Sequence, residues 1–195
     1  MSSLAAPVTR VTLADLVVPR TWVTNTLLVI GGAVFTGLLA QVAVPLWPVP
    51  ITGQTLAVML VASTLGLVRG TLSMLVYAVL GVVGVPWFSG WSGGPSILLG
   101  PTGGYIVGFI VAAAIVGWSA ERGGDRRILR AVATFLVATI SVFAVGLPWL
   151  AFALGTDLLH TLEFGLYPFI VGGLVKALLA ALIIPAAWWV QARRK

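Results

Sequence analysis

Six long apolar runs dominate this chain, at about residues 23–44, 53–67, 71–85, 103–120, 128–147 and 169–190, and nearly all of its charge lies between them. Any fold must bury these runs against one another or surround them with lipid. Runs of this kind read as membrane-spanning helices of about 20 residues each. The composition decides for lipid: 59% of the residues are hydrophobic and only 8% are charged, where a soluble domain carries about 25% charged residues. The 195 residues suit one domain, 1–195, an all-α membrane protein with six transmembrane helices. The second and third runs are short for a full span, so they must stand upright, thin the bilayer or extend into a loop. Between them, Val68-Arg69-Gly70 reads as a tight turn.

The basic residues set an orientation. Arg10 and Arg20 precede the first run, and Arg69 separates the second and third. Arg122, Arg126, Arg127 and Arg130 cluster where the fourth gives way to the fifth, and Arg193, Arg194 and Lys195 end the chain. The alternate loops, at about 45–52, 86–102 and 148–168, contain no Lys or Arg; they hold Asp157, His160 and Glu163. By the positive-inside rule both the N and C termini are expected to be cytoplasmic, in a multi-pass protein of the cell (inner) membrane. Residues 1–20 show no apolar core ending in a small-residue cleavage site. The first helix itself is therefore expected to direct insertion. The arginine cluster reads first as an orientation signal and second as a contact for a partner.

One cation breaks the pattern. Lys176 lies deep in the last run, and an ammonium near the bilayer centre costs at least ~2.5–3.5 kcal/mol. That cost predicts a polar cavity in which Lys176 faces something anionic or hydrogen-bonding. The outer loops offer covers for such a cavity. Pro45-Leu46-Trp47-Pro48-Val49-Pro50 is punctuated by proline and cannot be helical. The stretch from Trp87 to Pro95 mixes aromatic residues with glycine, which suits either an interfacial aromatic belt or a lid over an outward-facing pocket. Small residues at helical spacing, Gly104/Gly108/Ala112, Ala33/Gly37 and Ala177/Ala181, allow close helix approach in lipid, within the monomer or against a separate membrane subunit.

Several chemistries lack their residues. There is no G-x-x-x-x-G-K-[ST] loop to cradle nucleotide phosphates. The net charge of +6 is scattered over short loops without a basic, aromatic-interleaved stripe, so no nucleic-acid partner is expected. With no cysteine there is no disulfide, thiol nucleophile or thiolate metal site. His160 with Asp157 and Glu163 could form a weak metal site, but a solvated helical edge is the simpler reading. Gly103-Gly104 could receive an anion at a helix start or serve only the turn. No triad motif is visible, so an enzyme is not expected. No Asp or Glu falls inside a run, whereas ion-coupled carriers usually bury such carboxylates. The chain therefore reads as a binding subunit that takes its energy from elsewhere.

Three stretches carry a resemblance: Pro48-Val49-Pro50-Ile51-Thr52-Gly53-Gln54-Thr55, the run from Gly100 to Phe109 opening G-P-T-G-G-Y, and the run from Tyr167 to Ala177 ending in G-G-L-V-K-A. Together they resemble BioY, the biotin-specific substrate-binding (S) component of energy-coupling factor (ECF) transporters, over about residues 26–184. The resemblance implies a six-helix membrane protein that binds biotin near its extracellular face. It also implies assembly with a transmembrane coupling protein and ABC-type ATPases, with ATP used only by those partners and no covalently bound cofactor. Family members also occur without a dedicated ATPase module. Relatives commonly read P-G-D-L-x-K in the last stretch; here Gly173 stands where they carry the aspartate.

Biotin suits the residues. Lys176 would donate to its ureido carbonyl or to its carboxylate. Gln54, Thr52 and Thr102 offer hydrogen bonds, Tyr105 offers a ring and a hydroxyl, and Trp47 or Trp91 could cover the thiophane ring. The plainer alternatives are that Gln54 and Thr52 cap a helix and that Tyr105 belongs to an aromatic belt. Rival functions are an S component for riboflavin or thiamine and a stand-alone secondary vitamin carrier.

Overall fold

The computed structural model describes residues 11–193; Arg10, Arg194 and Lys195, used above for orientation, lie outside the described residues. A 3-10 turn at Ala14–Leu16 precedes α1 (Trp22–Ala40). A short antiparallel pair follows, β1 (Ala43–Val44) and β2 (Ile51–Thr52). The remaining helices are α2 (Gln54–Leu65), α3 (Leu67–Val83), α4 (Pro95–Leu99), α5 (Gly103–Ala120), α6 (Ile128–Leu154), α7 (Leu158–Gly165) and α8 (Tyr167–Ala192). Among the described residues, α1, α5, α6 and α8 are long and apolar enough to cross a membrane; α2 and α3 are apolar but shorter. Large apolar side chains such as Leu27, Ile140, Val171 and Leu182 stand exposed on the long helices. A surface of that kind calls for lipid rather than water, and the chain is a membrane protein.

The helices pack around α5. Its glycines allow the approach: a Cβ at Gly108 would lie 2.9 Å from Val142 Cα, and one at Gly104 would collide with Trp149. The Gly104/Gly108/Ala112 stripe thus packs within the monomer, against α6. Gly37 on α1 similarly lies under Trp87, which a Cβ would meet at 2.9 Å.

Several boundaries differ from the sequence expectation: α1 stops at Ala40 and Ala43–Val44 form β1, and two further differences have a clear cause. Val68-Arg69-Gly70 is not a turn but the first turn of α3; the reversal is made by Gly66 alone, at φ 85°, a conformation that favours glycine. Pro148 does not end the fifth run, because α6 continues through it to Leu154. The loop expected at 148–168 is consequently mostly helical, with α7 inside it.

At this basic end the chain is closed by paired charges. Asp15 accepts hydrogen bonds from the Thr12 N–H (2.9 Å) and hydroxyl (2.7 Å) and from Arg20 and Arg69. Burial pushes the Asp15 carboxyl up, but these donors outweigh it and hold the group well below the usual carboxylate range. Glu121 accepts the Leu67 N–H at 2.9 Å, placing negative charge at the start of α3 where the helix dipole favours it. Three arginines lie over indole rings nearby: Arg122 on Trp118 (4.0 Å), Arg126 on Trp188 (4.4 Å) and Arg193 on Trp189 (3.5 Å).

Candidate functional site

At the opposite end, the β1–β2 hairpin, the 84–94 loop, α4, the N-terminal parts of α2, α5 and α8 and the middle of α6 enclose a cavity of about 220 Å³. That is somewhat below the roughly 300–1,000 Å³ of sites for drug-sized ligands. Its lining is mostly apolar, including Val49, Ile97, Ile106, Phe109 and Val142, with polar groups gathered from β2, α2 and α8.

Lys176 reaches this cavity from the third turn of α8. Its ammonium donates to the Thr52 main-chain carbonyl at 2.7 Å, bridging α8 to the hairpin. An ammonium has three hydrogens, and among the described residues no carboxylate lines the cavity. The charge is therefore held in place without being neutralised.

Thr52 and Gln54 stand beside it. The Thr52 hydroxyl donates to Gln54 Oε1 at 2.6 Å, and Gln54 Nε2 donates to the Tyr77 hydroxyl at 2.6 Å. The helix-capping contact, from Gln54 N–H to Thr52 Oγ1, is long at 3.4 Å, so the side-chain chain is the tighter arrangement. Thr55, one residue on, also lines the cavity, and its buried hydroxyl has no partner within the protein. An unpaired buried hydroxyl is costly, and a ligand atom would relieve it.

One wall is aromatic. Tyr105 and Phe169 stack with centroids 6.2 Å apart, and Phe143 meets both edge-on. The Tyr105 hydroxyl donates to Gly165 O at 2.9 Å, so Tyr105 fastens α5 to α7 and lends the cavity its ring. Thr102 donates to Ile97 O at 3.3 Å from the cavity margin. Gly103 starts α5 directly beneath the Leu98 carbonyl, where a Cβ would not fit. Close approach is therefore what the glycine pair provides.

The 84–94 loop supplies Phe88, Ser89 and Ser92. It is pinned by Gln41, whose amide nitrogen donates to Trp87 O (3.2 Å) and Phe88 O (3.1 Å) while its oxygen accepts the Trp91 N–H (2.9 Å). Trp91 itself is 65% exposed, at φ 55°. Trp47 is exposed too and meets Phe164 of α7 edge-on at 5.8 Å. Neither tryptophan lines the cavity, whose aromatic wall holds Phe88, Phe143 and Phe169. Gly173 also lies outside the lining: a Cβ there would be 3.5 Å from Thr139 on α6. His160 pairs with Asp157 at 2.7 Å on the exposed start of α7, where Asp157 caps the helix by accepting the His160 N–H. Among the described residues there is no cluster of three metal-ligating side chains.

The model of the BioY family matches residues 8–193. The chain belongs to the BioY family. It is 40% identical over 148 residues to a probable biotin transporter BioY of Pyrococcus horikoshii, covering 76% of this chain and 86% of that one. It is 36% identical over 161 residues to the biotin transporter BioY of Thermotoga maritima, covering 79% and 91%. Among solved structures it is similar to the S-component for biotin from an ECF-type ABC transporter, with a TM-score of 0.77 and 26% identity, covering 91% of this chain and 95% of the other.

Within this BioY framework, five of the eight residues singled out from sequence meet at the cavity: Lys176, Thr52, Gln54, Thr102 and Tyr105. Sequence reasoning passed over Tyr77, Phe88, Phe143, Phe169 and Thr55. Thr55 and Phe169 stand within the family-like stretches and Phe88 within the aromatic loop, whereas Phe143 sits in an apolar run with nothing to distinguish it.

Proposed function

We propose that this chain captures biotin from outside the cell as the substrate-binding S component of an ECF-type transporter. It is a single membrane domain over 1–195 that crosses the cell membrane six times, counting α2 and α3, with both termini in the cytoplasm. A transmembrane coupling protein and ABC-type ATPases supply the energy, and ATP acts only in those partners. The names borne by the relatives, biotin transporter and biotin S-component, support this reading.

The observation that carries it is the Lys176 ammonium, fixed on Thr52 and opening onto a mostly apolar cavity that no carboxylate of the described residues lines. Biotin is the chemical complement: fused rings and a valeryl chain for the aromatic wall, and a ureido group and carboxylate for the polar groups. Lys176 donates to one of its oxygens, Thr52, Gln54 and Thr102 hydrogen-bond its polar edge, and Tyr105 flanks its rings.

Purification without added ligand, followed by mass spectrometry of the released small molecules and titration with biotin, tests the substrate. Co-purified biotin with one-to-one binding is expected. A flavin or thiamine in its place would overturn the assignment. Uptake into vesicles that lack the ATPases, abolished by an uncoupler, would break the partner half of the proposal.

A further inference from the structure

We propose that Tyr77, which does not line the cavity, is a positioning residue that sets the donor–acceptor sense of the Thr52 hydroxyl and so makes the site selective for an N–H group on the ligand. The inference rests on the biotin reading of the cavity and adds a residue and a direction to it.

Tyr77 on α3 is fully buried. Trp87 holds it on two sides: the indole N–H donates to the Tyr77 carbonyl at 2.9 Å, and the rings lie 5.4 Å apart. The Tyr77 hydroxyl has one hydrogen to give, and the Trp87 carbonyl, 3.4 Å away, takes it. Its oxygen then accepts from Gln54 Nε2 at 2.6 Å. That contact turns Gln54 Oε1 toward Thr52, whose hydroxyl donates to it at 2.6 Å. Every hydrogen in the chain therefore points the same way, from Thr52 to Gln54 to Tyr77 to Trp87. Chains of this kind reinforce one another in a low-dielectric interior.

The consequence appears at the cavity wall. The only hydrogen of the Thr52 hydroxyl is engaged with Gln54, so this hydroxyl meets a ligand through a lone pair. The carbonyl of the same residue anchors the Lys176 ammonium, which has further hydrogens to donate. One residue thus sets an acceptor and a donor side by side, and a cyclic urea carries the matching pair, an N–H next to a C=O. Were the Gln54 carboxamide turned over, its N–H would face Thr52. The Thr52 hydrogen would then point into the cavity, and the preference would reverse. Sites built to pair a ligand N–H reject analogues that lack it, because a polar group is left unpaired.

The test compares biotin with its two cyclic-carbamate analogues, in each of which one ureido N–H is replaced by oxygen. For the wild type, at least one analogue is expected to bind more weakly than biotin. Tyr77→Phe is expected to shrink that analogue-to-biotin Kd ratio by about tenfold, the loss of roughly one net hydrogen bond. A merely structural role would weaken both ligands by the same factor and leave the ratio unchanged, and that result overturns the inference. Thr52→Val, at the wall itself, is expected to shrink the ratio equally; an unchanged ratio there overturns it even if Tyr77→Phe does not accumulate. A wild type that ignores biotin defeats the reading of the cargo instead. The inference then stands on the unliganded protein with its glutamines 15N-labelled: Tyr77→Phe must shift the Gln54 side-chain amide resonances and speed their hydrogen exchange, and unaltered resonances overturn it.

Discussion

Arg69 at the base of α3 and Lys176 near the top of α8 are both half-hidden cations, yet their surroundings are built to opposite ends. Arg69 bonds Asp15 at 2.8 Å, the Thr12 hydroxyl at 2.9 Å and the Leu65 carbonyl at 2.9 Å. Its charge is balanced, and it ties the N-terminal segment to the α2–α3 junction. Lys176 has one carbonyl and an open apolar space. Completed electrostatics hold a fold together. Electrostatics left incomplete in a cavity create a demand for a ligand, because an unbalanced buried charge is costly until something pairs with it.

The contrast predicts that removing the two cations' support has different readouts. The largest effect is on binding: Lys176→Ala is expected to lose ~2–5 kcal/mol of biotin affinity while the protein's melting temperature barely moves. Calorimetric titration showing wild-type affinity would erase the distinction. Next, Asp15→Asn is expected to cost about 3 kcal/mol of stability, mostly through Arg69, since the exposed Arg20 adds little, and to leave biotin affinity unchanged. The Asp15 carboxyl is depressed in the folded protein. Its stabilisation is therefore present above its ordinary value of about 3.9 and fades as pH falls through that value toward the depressed one. Acid unfolding curves in which the variant and the wild type run parallel below about pH 4 would contradict this.

Smaller effects sharpen the boundary of the site. Trp47→Ala and Trp91→Ala are each expected to change affinity by less than about 1 kcal/mol, because neither ring lines the cavity; a larger loss in titration would make them covers of the ligand. The least effect belongs to His160→Ala, read as a slight drop in melting temperature at acidic pH only. Asp157 raises the His160 pKa, so the pairing is present while the imidazole is charged and is lost as pH rises through that raised value. A variant equally destabilised in alkali would refute it.

The residues that were legible in sequence are those whose signal is local. Residues 103–120 end as expected because glycines open the helix and charges close it. Lys176 was legible because one ammonium in an apolar run has few explanations. Arg69 misled for the converse reason: a charge between apolar runs resembles a turn, and its partner Asp15 is remote in sequence, while the true reversal sits at Gly66 inside an apolar stretch. Pro148 misled because a helix packed in protein and lipid can absorb a proline where an isolated one would break. Tyr105 lines the cavity, but the engagement of its hydroxyl with Gly165 depends on how α7 folds back. Tyr77 could not be identified at all, since its importance lies entirely in what it touches.

The brevity of α2 has a consequence of its own. Twelve residues rise only about 18 Å, well under the roughly 30 Å of hydrocarbon in a bilayer. Gln54, at one tip of that rod, borders the cavity; Leu65, at the other, abuts the charged base. A ligand seated beside Gln54 would thus stand one short helix away from the end where Arg69 bonds the Leu65 carbonyl and Asp15.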